Sequence, residues 1–131
     1  MQDSVFTKII KGEIPSFKIY EDSYVVAFLD IHPIAPGHTL IVPKAQVEFL
    51  WDLNDEQYTA VMSAVKQVAL HLRTTLSVPY VGEQVIGVDV PHAHVHLIPF
   101  TTAHEYHNNP DVTAEPDFES LAAIAKRLQI K

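Results

Sequence analysis

The stretch Pro91-His92-Ala93-His94-Val95-His96-Leu97-Ile98-Pro99 constrains the fold more than any other part of the chain. It sets a histidine at every second position of an apolar run between two prolines. In a helix, residues two apart point about 200° apart, so the three rings would not meet. In a strand they share one face, about 6 to 7 Å apart, and the intervening residues face the other way. Prolines are tolerated at strand ends. The alternation therefore predicts a strand over His92 to Pro99, with Ala93, Val95 and Leu97 toward a core and a row of imidazoles opposite.

A lone strand is unstable, so the remaining chain must pair and cover it. Phe17 to Glu21 and Tyr24 to Asp30 are rich in aromatic and β-branched residues, and Glu21-Asp22-Ser23 between them reads as a hairpin turn. Ile31 to Gly37 holds two prolines and a glycine and reads as a loop. His38 to Pro43 is nearly all apolar and reads as a strand buried on both faces. Tyr80 to Ile86, after Pro79, is a further strand, and Gly87 to Pro91 turns the chain.

Asp3 or Ser4 caps a short helix bearing Phe6, Ile9 and Ile10, ended by Gly12 and Pro15. Asn54 with Gln57 resembles a capping box. Tyr58, Val61, Val65, Val68 and Leu72 then recur at helical spacing, which predicts a helix from Asn54 to about Thr75. His71 falls on its solvated face. Thr101 to Glu115 is polar, contains His104, His107 and Pro110, and reads as a mobile loop. Pro116 suits the first turn of a last helix, whose apolar face is Phe118, Leu121, Ala122, Ile124, Ala125 and Leu128. Helices and mostly antiparallel strands mix without a βαβ rhythm, so the class is α+β. There is no repeat, linker or low-complexity segment, and 131 residues suit one domain over 1–131.

Composition narrows the function. With no cysteine, neither a disulfide nor a thiolate metal site is possible, and a reducing cytoplasm fits. The N-terminus carries acidic residues and lacks the long apolar run of a signal peptide. No stretch approaches the roughly 20 apolar residues of a membrane helix, so no membrane partner is expected. A formal net charge of −7 opposes long nucleic acid. A small phosphorylated ligand stays open, because a local site can oppose the global charge.

Three readings of the histidine row compete at this point. The rings are surface or satisfied core histidines; or they hold a metal, although no further ligand stands at characteristic spacing; or they perform nucleophilic catalysis on phosphorus, one ring attacking, a neighbour donating and another orienting.

The run His92-Ala93-His94-Val95-His96-Leu97-Ile98 resembles the signature of the histidine-triad (HIT) family of nucleotide hydrolases and transferases. The stretch from Phe28-Leu29-Asp30-Ile31-His32 through Gly37-His38-Thr39 to Pro43-Lys44 resembles the family's first half, and Ile9-Ile10-Lys11-Gly12-Glu13-Ile14-Pro15 does too. The likeness spans roughly Val5 to Phe100. It implies a HIT-like fold, an antiparallel sheet of about five strands with a long central helix, a short N-terminal helix and a C-terminal helix. It implies a nucleophile at His94, a phosphate or leaving-group donor at His96, an orienting backbone carbonyl at His92 and a buttress at His38. Asp30 would bind ribose hydroxyls, and Ile31 would line the base pocket. His32, in the same loop, is expected to be exposed, and His104 and His107 receive no catalytic role.

The implied activity is hydrolysis at the α-phosphate of a purine nucleoside monophosphate derivative, of phosphoramidate type, through a covalent nucleotidyl-histidine. Dinucleoside polyphosphate hydrolysis, or nucleotide binding with little turnover, are the alternatives. No cofactor and no catalytic metal are implied. Family members pair as homodimers, which here would use Asn54 to Thr75 and Tyr80 to Ile86. Two departures stand out. Where several members bind zinc through Cys-x-x-Cys and a later ligand, this chain has Ser4, Thr7 and Gln46. Where many carry Asn and then Gly-Gln-Ser/Thr against the phosphate, it reads Val85-Ile86-Gly87-Val88-Asp89-Val90-Pro91, leaving Asp89 and Val90 beside the nucleotide. A carboxylate there repels phosphate unless protonated or turned away, while backbone amides of 87–89 can still donate. Tyr106 or His107 is a candidate for closing over a ligand.

Overall fold

The computed structural model describes residues 2–130. Five strands form one antiparallel sheet: β1 (Lys18–Glu21), β2 (Val25–Leu29), β3 (Thr39–Pro43), β4 (Tyr80–Gln84) and β5 (Val95–Phe100), in spatial order β1-β2-β3-β5-β4. Four helices accompany them: α1 (Val5–Ile10), α2 (Asp55–Thr75), α3 (Ala103–Tyr106) and α4 (Phe118–Leu128). The α+β class and the five-stranded sheet match the expectation. No helix among the described residues is long and apolar enough to cross a membrane.

Local chemistry sets most boundaries. Asp22 Oδ1 accepts from the amides of Tyr24 and Val25, which turns β1 into β2. Asn54 and Gln57 form the reciprocal capping box that starts α2. Beyond it, Val61, Ala64, Val65, Val68 and Leu72 are buried against the sheet. α4 adds Leu121, Ala125 and Leu128 to the same core, and Ala93, Val95 and Leu97 meet it from β5. On the opposite face α1 lays Phe6 and Ile9 over Val26, Phe28, Leu40 and Val42. β3 is thus buried on both faces.

Several boundaries depart from the pattern-based expectation. β5 begins at Val95 rather than His92. Its ladder with β3 stops at the pair Ile41 and Val95. Beyond that pair the Ala93 amide donates to Val47 O at 2.7 Å, and Pro43 O is taken by the His92 ring. A side chain and a distant carbonyl have replaced ladder bonds. β4 ends at Gln84, two residues early. The segment read as a mobile loop contains α3, started by a Thr102–Glu105 capping box that the polar composition hid. α4 starts at Phe118 because Asp117 is its N-cap, so Pro116 lies outside the first turn. His71 is half-buried rather than solvated, and Nε2 meets Leu128 O at 3.0 Å, tying α2 to the end of α4.

Candidate active site

The start of β5 and the segment before it deliver His96 and His94 side by side, with ring centroids 5.0 Å apart. His94 Nδ1 lies 2.7 Å from His92 O. A carbonyl only accepts, so Nδ1 carries the proton and Nε2 keeps its lone pair. The ring is buried, and the Phe6 edge contact at 5.0 Å restrains its face. Fixing one nitrogen in this way decides what the other offers.

The same bookkeeping runs through His38 and His96. The Ile34 amide donates to His38 Nδ1 at 3.0 Å, so His38 carries its proton on Nε2. That proton goes to His96 Nδ1, 3.0 Å away. His96 is left with a proton on Nε2, an N–H donor beside the lone pair of His94. Burial holds the His38 ring below its ordinary pKa, opposed by Asp30, whose Oδ2 is 3.6 Å from Nε2. Burial, then the neighbouring His38 and His94, push His96 from 6.5 to about 4, against Asp30 and Asp89. Both rings are therefore neutral near pH 7, as this proton assignment requires.

His92 leaves the expected row. Its ring is fully buried behind the site, with Nε2 2.7 Å from Pro43 O and Nδ1 2.6 Å from Ser4 Oγ. Burial lowers its pKa first, the Pro43 bond opposes, and His94 adds to the lowering. What His92 presents to the site is its carbonyl.

His94 and His96 stand in the wall of a cleft of about 630 Å³. Apolar side chains of α1, the following turn and β2 line one side, among them Phe6, Ile9, Ile14 and Phe28. The candidates Asp30, Ile31, Asp89 and Val90 all line it, as do His38 and Gln84. Asp30 is half-buried, with Oδ1 accepting from the His32 amide. Ile31 is exposed to the cleft, a flat apolar surface beside a carboxylate. Asp89 is solvent-exposed, whereas Val90 packs on the apolar cluster under α1.

The C-terminal segment covers the cleft differently from expectation. Asn108, Asn109, Pro110 and Val112 line it, and Tyr106 and His107 do not. Tyr106 instead packs on Phe100, in the space left by Gly82, with His107 edge-on against it. His32 is half-buried rather than free in solvent: it donates from Nε2 to Ala114 O at 2.9 Å, and Asn108 Nδ2 donates to Ile34 O. Nothing in the spacing of 101–117 signals these contacts, which come from the loop at 30–37.

Among the described residues, Asp30, His38 and His96 bring three potential metal-ligand atoms within 4.8 Å of one another. The chain of protons from Ile34 through His38 to His96 already accounts for the two rings.

The site thus sets a nitrogen lone pair and a neutral imidazole N–H on neighbouring rings, in a cleft with an apolar side and a carboxylate. Comparison with known proteins gives its class. The HIT domain model matches residues 11–103, and the chain belongs to the HIT domain family. It is 39% identical over 128 residues to an adenosine 5′-monophosphoramidase of Saccharomyces cerevisiae, covering 97% of this chain and 81% of that one. A Hit-like protein of Bartonella henselae, described as involved in cell-cycle regulation, has a TM-score of 0.82 at 32% identity, covering 97% and 95% of the two chains. A zinc-bound histidine triad family protein of Mycobacterium smegmatis has a TM-score of 0.73 at 30% identity, covering 95% and 94%. The family and its monophosphoramidase relatives support hydrolase activity on a nucleotide.

Proposed function

We propose that this chain hydrolyses the bond between the α-phosphate of a purine nucleoside monophosphate and an amine, through a nucleotidyl intermediate on His94. The observation that carries the reading is that the His94 Nε2 lone pair and the His96 Nε2–H belong to rings whose centroids lie 5.0 Å apart in the wall of one cleft. In the first step Nε2 of His94 forms an N–P bond as the bond from phosphorus to the leaving amine breaks. The amine takes its proton from solvent as it leaves, the His96 N–H donates a hydrogen bond to the phosphate or the leaving nitrogen, and the positive charge gained by His94 is stabilised by its Nδ1–H on the His92 carbonyl. Water then adds to phosphorus as the N–P bond to His94 breaks, and its proton goes to solvent, freeing neutral His94 and the nucleoside monophosphate. Asp30 takes the ribose hydroxyls, and Ile31 and the apolar side of the cleft take the base. The amides of 87–89 and Val90 border the phosphate.

A homodimer working in the reducing cytoplasm belongs to the same reading. β4 is an edge strand, and Tyr80, Val85 and Ile86 on and after it are exposed. Such an edge is a ready template for pairing with a second copy. Asp89 favours a second reading, nucleotide binding with little turnover, because its carboxylate borders the cleft. The discriminating experiment is AMP release from adenosine 5′-phosphoramidate by chelator-treated protein, beside His94→Ala. Turnover in the wild type alone supports the hydrolase. AMP affinity without turnover in either protein supports the binding module.

A further inference from the structure

Behind the cleft, four side chains that do not face it form a closed hydrogen-bond network. His92 Nε2 faces a carbonyl, so it is protonated and Nδ1 must accept. Ser4 Oγ, 2.6 Å away, supplies that proton, because Thr7 Oγ1, 3.3 Å from the same nitrogen, donates to Gln46. Ser4 Oγ in turn accepts from the Thr7 amide at 3.0 Å, as the N-cap of α1. Thr7 Oγ1 donates to Gln46 Oε1 at 2.6 Å, and that oxygen also accepts from the Ser4 amide at 2.8 Å. Gln46 Nε2 donates to Gln2 O, which settles the orientation of its amide. Ser4 and His92 are both buried. These donors and acceptors agree in one arrangement of protons, so the ring of His92 has one tautomer and one position.

Two contacts on His94 depend on this network. Its Nδ1 is held by the carbonyl of His92, and its ring is held by Phe6, two residues from Ser4 on α1. We propose that Ser4 is a positioning residue for the nucleophile: its hydroxyl locks the His92 ring, and with Thr7 and Gln46 it docks α1, so that His94 keeps Nδ1 protonated and Nε2 aimed at phosphorus. The three positions are those at which zinc-binding members of the family are expected to place ligands. Here neutral side chains and one imidazole satisfy each other. The inference rests on His94 being the nucleophile.

The test is Ser4→Ala, Ser4→Gly and Ser4→Thr, read by kcat and KM on adenosine 5′-phosphoramidate and by ring-nitrogen NMR shifts of His92 and His94 without substrate. Glycine keeps a serviceable N-cap, so Ser4→Gly retains the helix start while losing the hydroxyl. Loss of one buried hydrogen bond predicts kcat about tenfold lower in the alanine and glycine variants, with KM within about twofold. It also predicts ring-nitrogen shifts that move toward mixed tautomers, and both readouts restored by threonine. Unchanged ring shifts overturn the proposal, even if kcat falls, because the loss would then be structural. Turnover by His94→Ala would instead overturn the nucleophile reading, while the ring shifts would still report whether Ser4 holds His92.

Discussion

At the scale of single residues, proton placement is the main result. Four imidazoles sit in and behind the site, and each has one tautomer consistent with its partners: His38, His92 and His94 each have a nitrogen facing a backbone group of known polarity, and His96 is set by His38. Burial keeps His38, His92 and His96 neutral at a cost that depends on pH. Sign follows from the direction of the shifts. His38, His92 and His96 all bind protons less readily folded than unfolded. Stability is therefore full above the unfolded value and falls as protons bind the unfolded chain preferentially. For His96 that window runs from 6.5 down to about 4. Thermal melts across it are expected to show Tm falling with pH, and His96→Asn is expected to flatten the slope. A Tm in the variant that falls as steeply would remove His96 from the account. Asp89 belongs to this scale too. Asp89→Ser removes a carboxylate from the cleft and is expected to raise kcat/KM by about threefold at low salt, with the gain shrinking as salt screens it. No change at low salt would show that the carboxylate is turned away from the phosphate.

At the scale of elements, the pattern of the chain was most legible where one periodicity acted alone. α2 was readable from both its cap and its apolar spacing, and both appear as expected. The histidine alternation was legible as a strand, but its first three residues, His92 to His94, lie outside it. Their pairing is set by the His92 ring on Pro43 O and the Ala93 amide on Val47 O, both long-range contacts that no local pattern encodes. The same limit explains α3 and the cleft cover. Tyr106 fits only because Gly82, in a strand that looks unremarkable, leaves room for its ring. A Cβ at Gly82 would overlap that ring. Gly82→Ala is thus expected to dislodge α3 and loosen Asn108 to Val112. KM should rise several-fold with kcat nearly unchanged, as steady-state kinetics would show. A KM equal to wild type would mean that this cover does not contact substrate.

At the scale of the whole molecule, the sheet separates two jobs. One face, under α2 and α4, holds the larger core, and the other carries α1 and the cleft. The stability of the fold and the chemistry of the site are therefore open to separate perturbation. Leu72 is fully buried in the larger core. Leu72→Ala is expected to cost about 2 to 5 kcal/mol by lost burial and a cavity, with activity per folded molecule retained. Urea unfolding beside kinetics checks both parts, and a cost below about 1 kcal/mol would contradict the packing described. Residues of the site could be chosen from sequence because the triad and the Asp30–His38 stretch are short and chemically distinctive. Ser4 was legible as the cap of α1, but its tie to His92, and the part played by Gln46, were visible only as places where expected ligands were missing. Their positive role depends on a meeting of residues 42 positions apart.

The most direct measurement is to mix the protein with adenosine 5′-phosphoramidate, quench in base, and weigh the intact chain before mapping any adduct. The account predicts an adenylyl group on His94, present in the wild type and absent in His94→Ala. Turnover with no adduct in the pre-steady state, or an adduct on another residue, would contradict it.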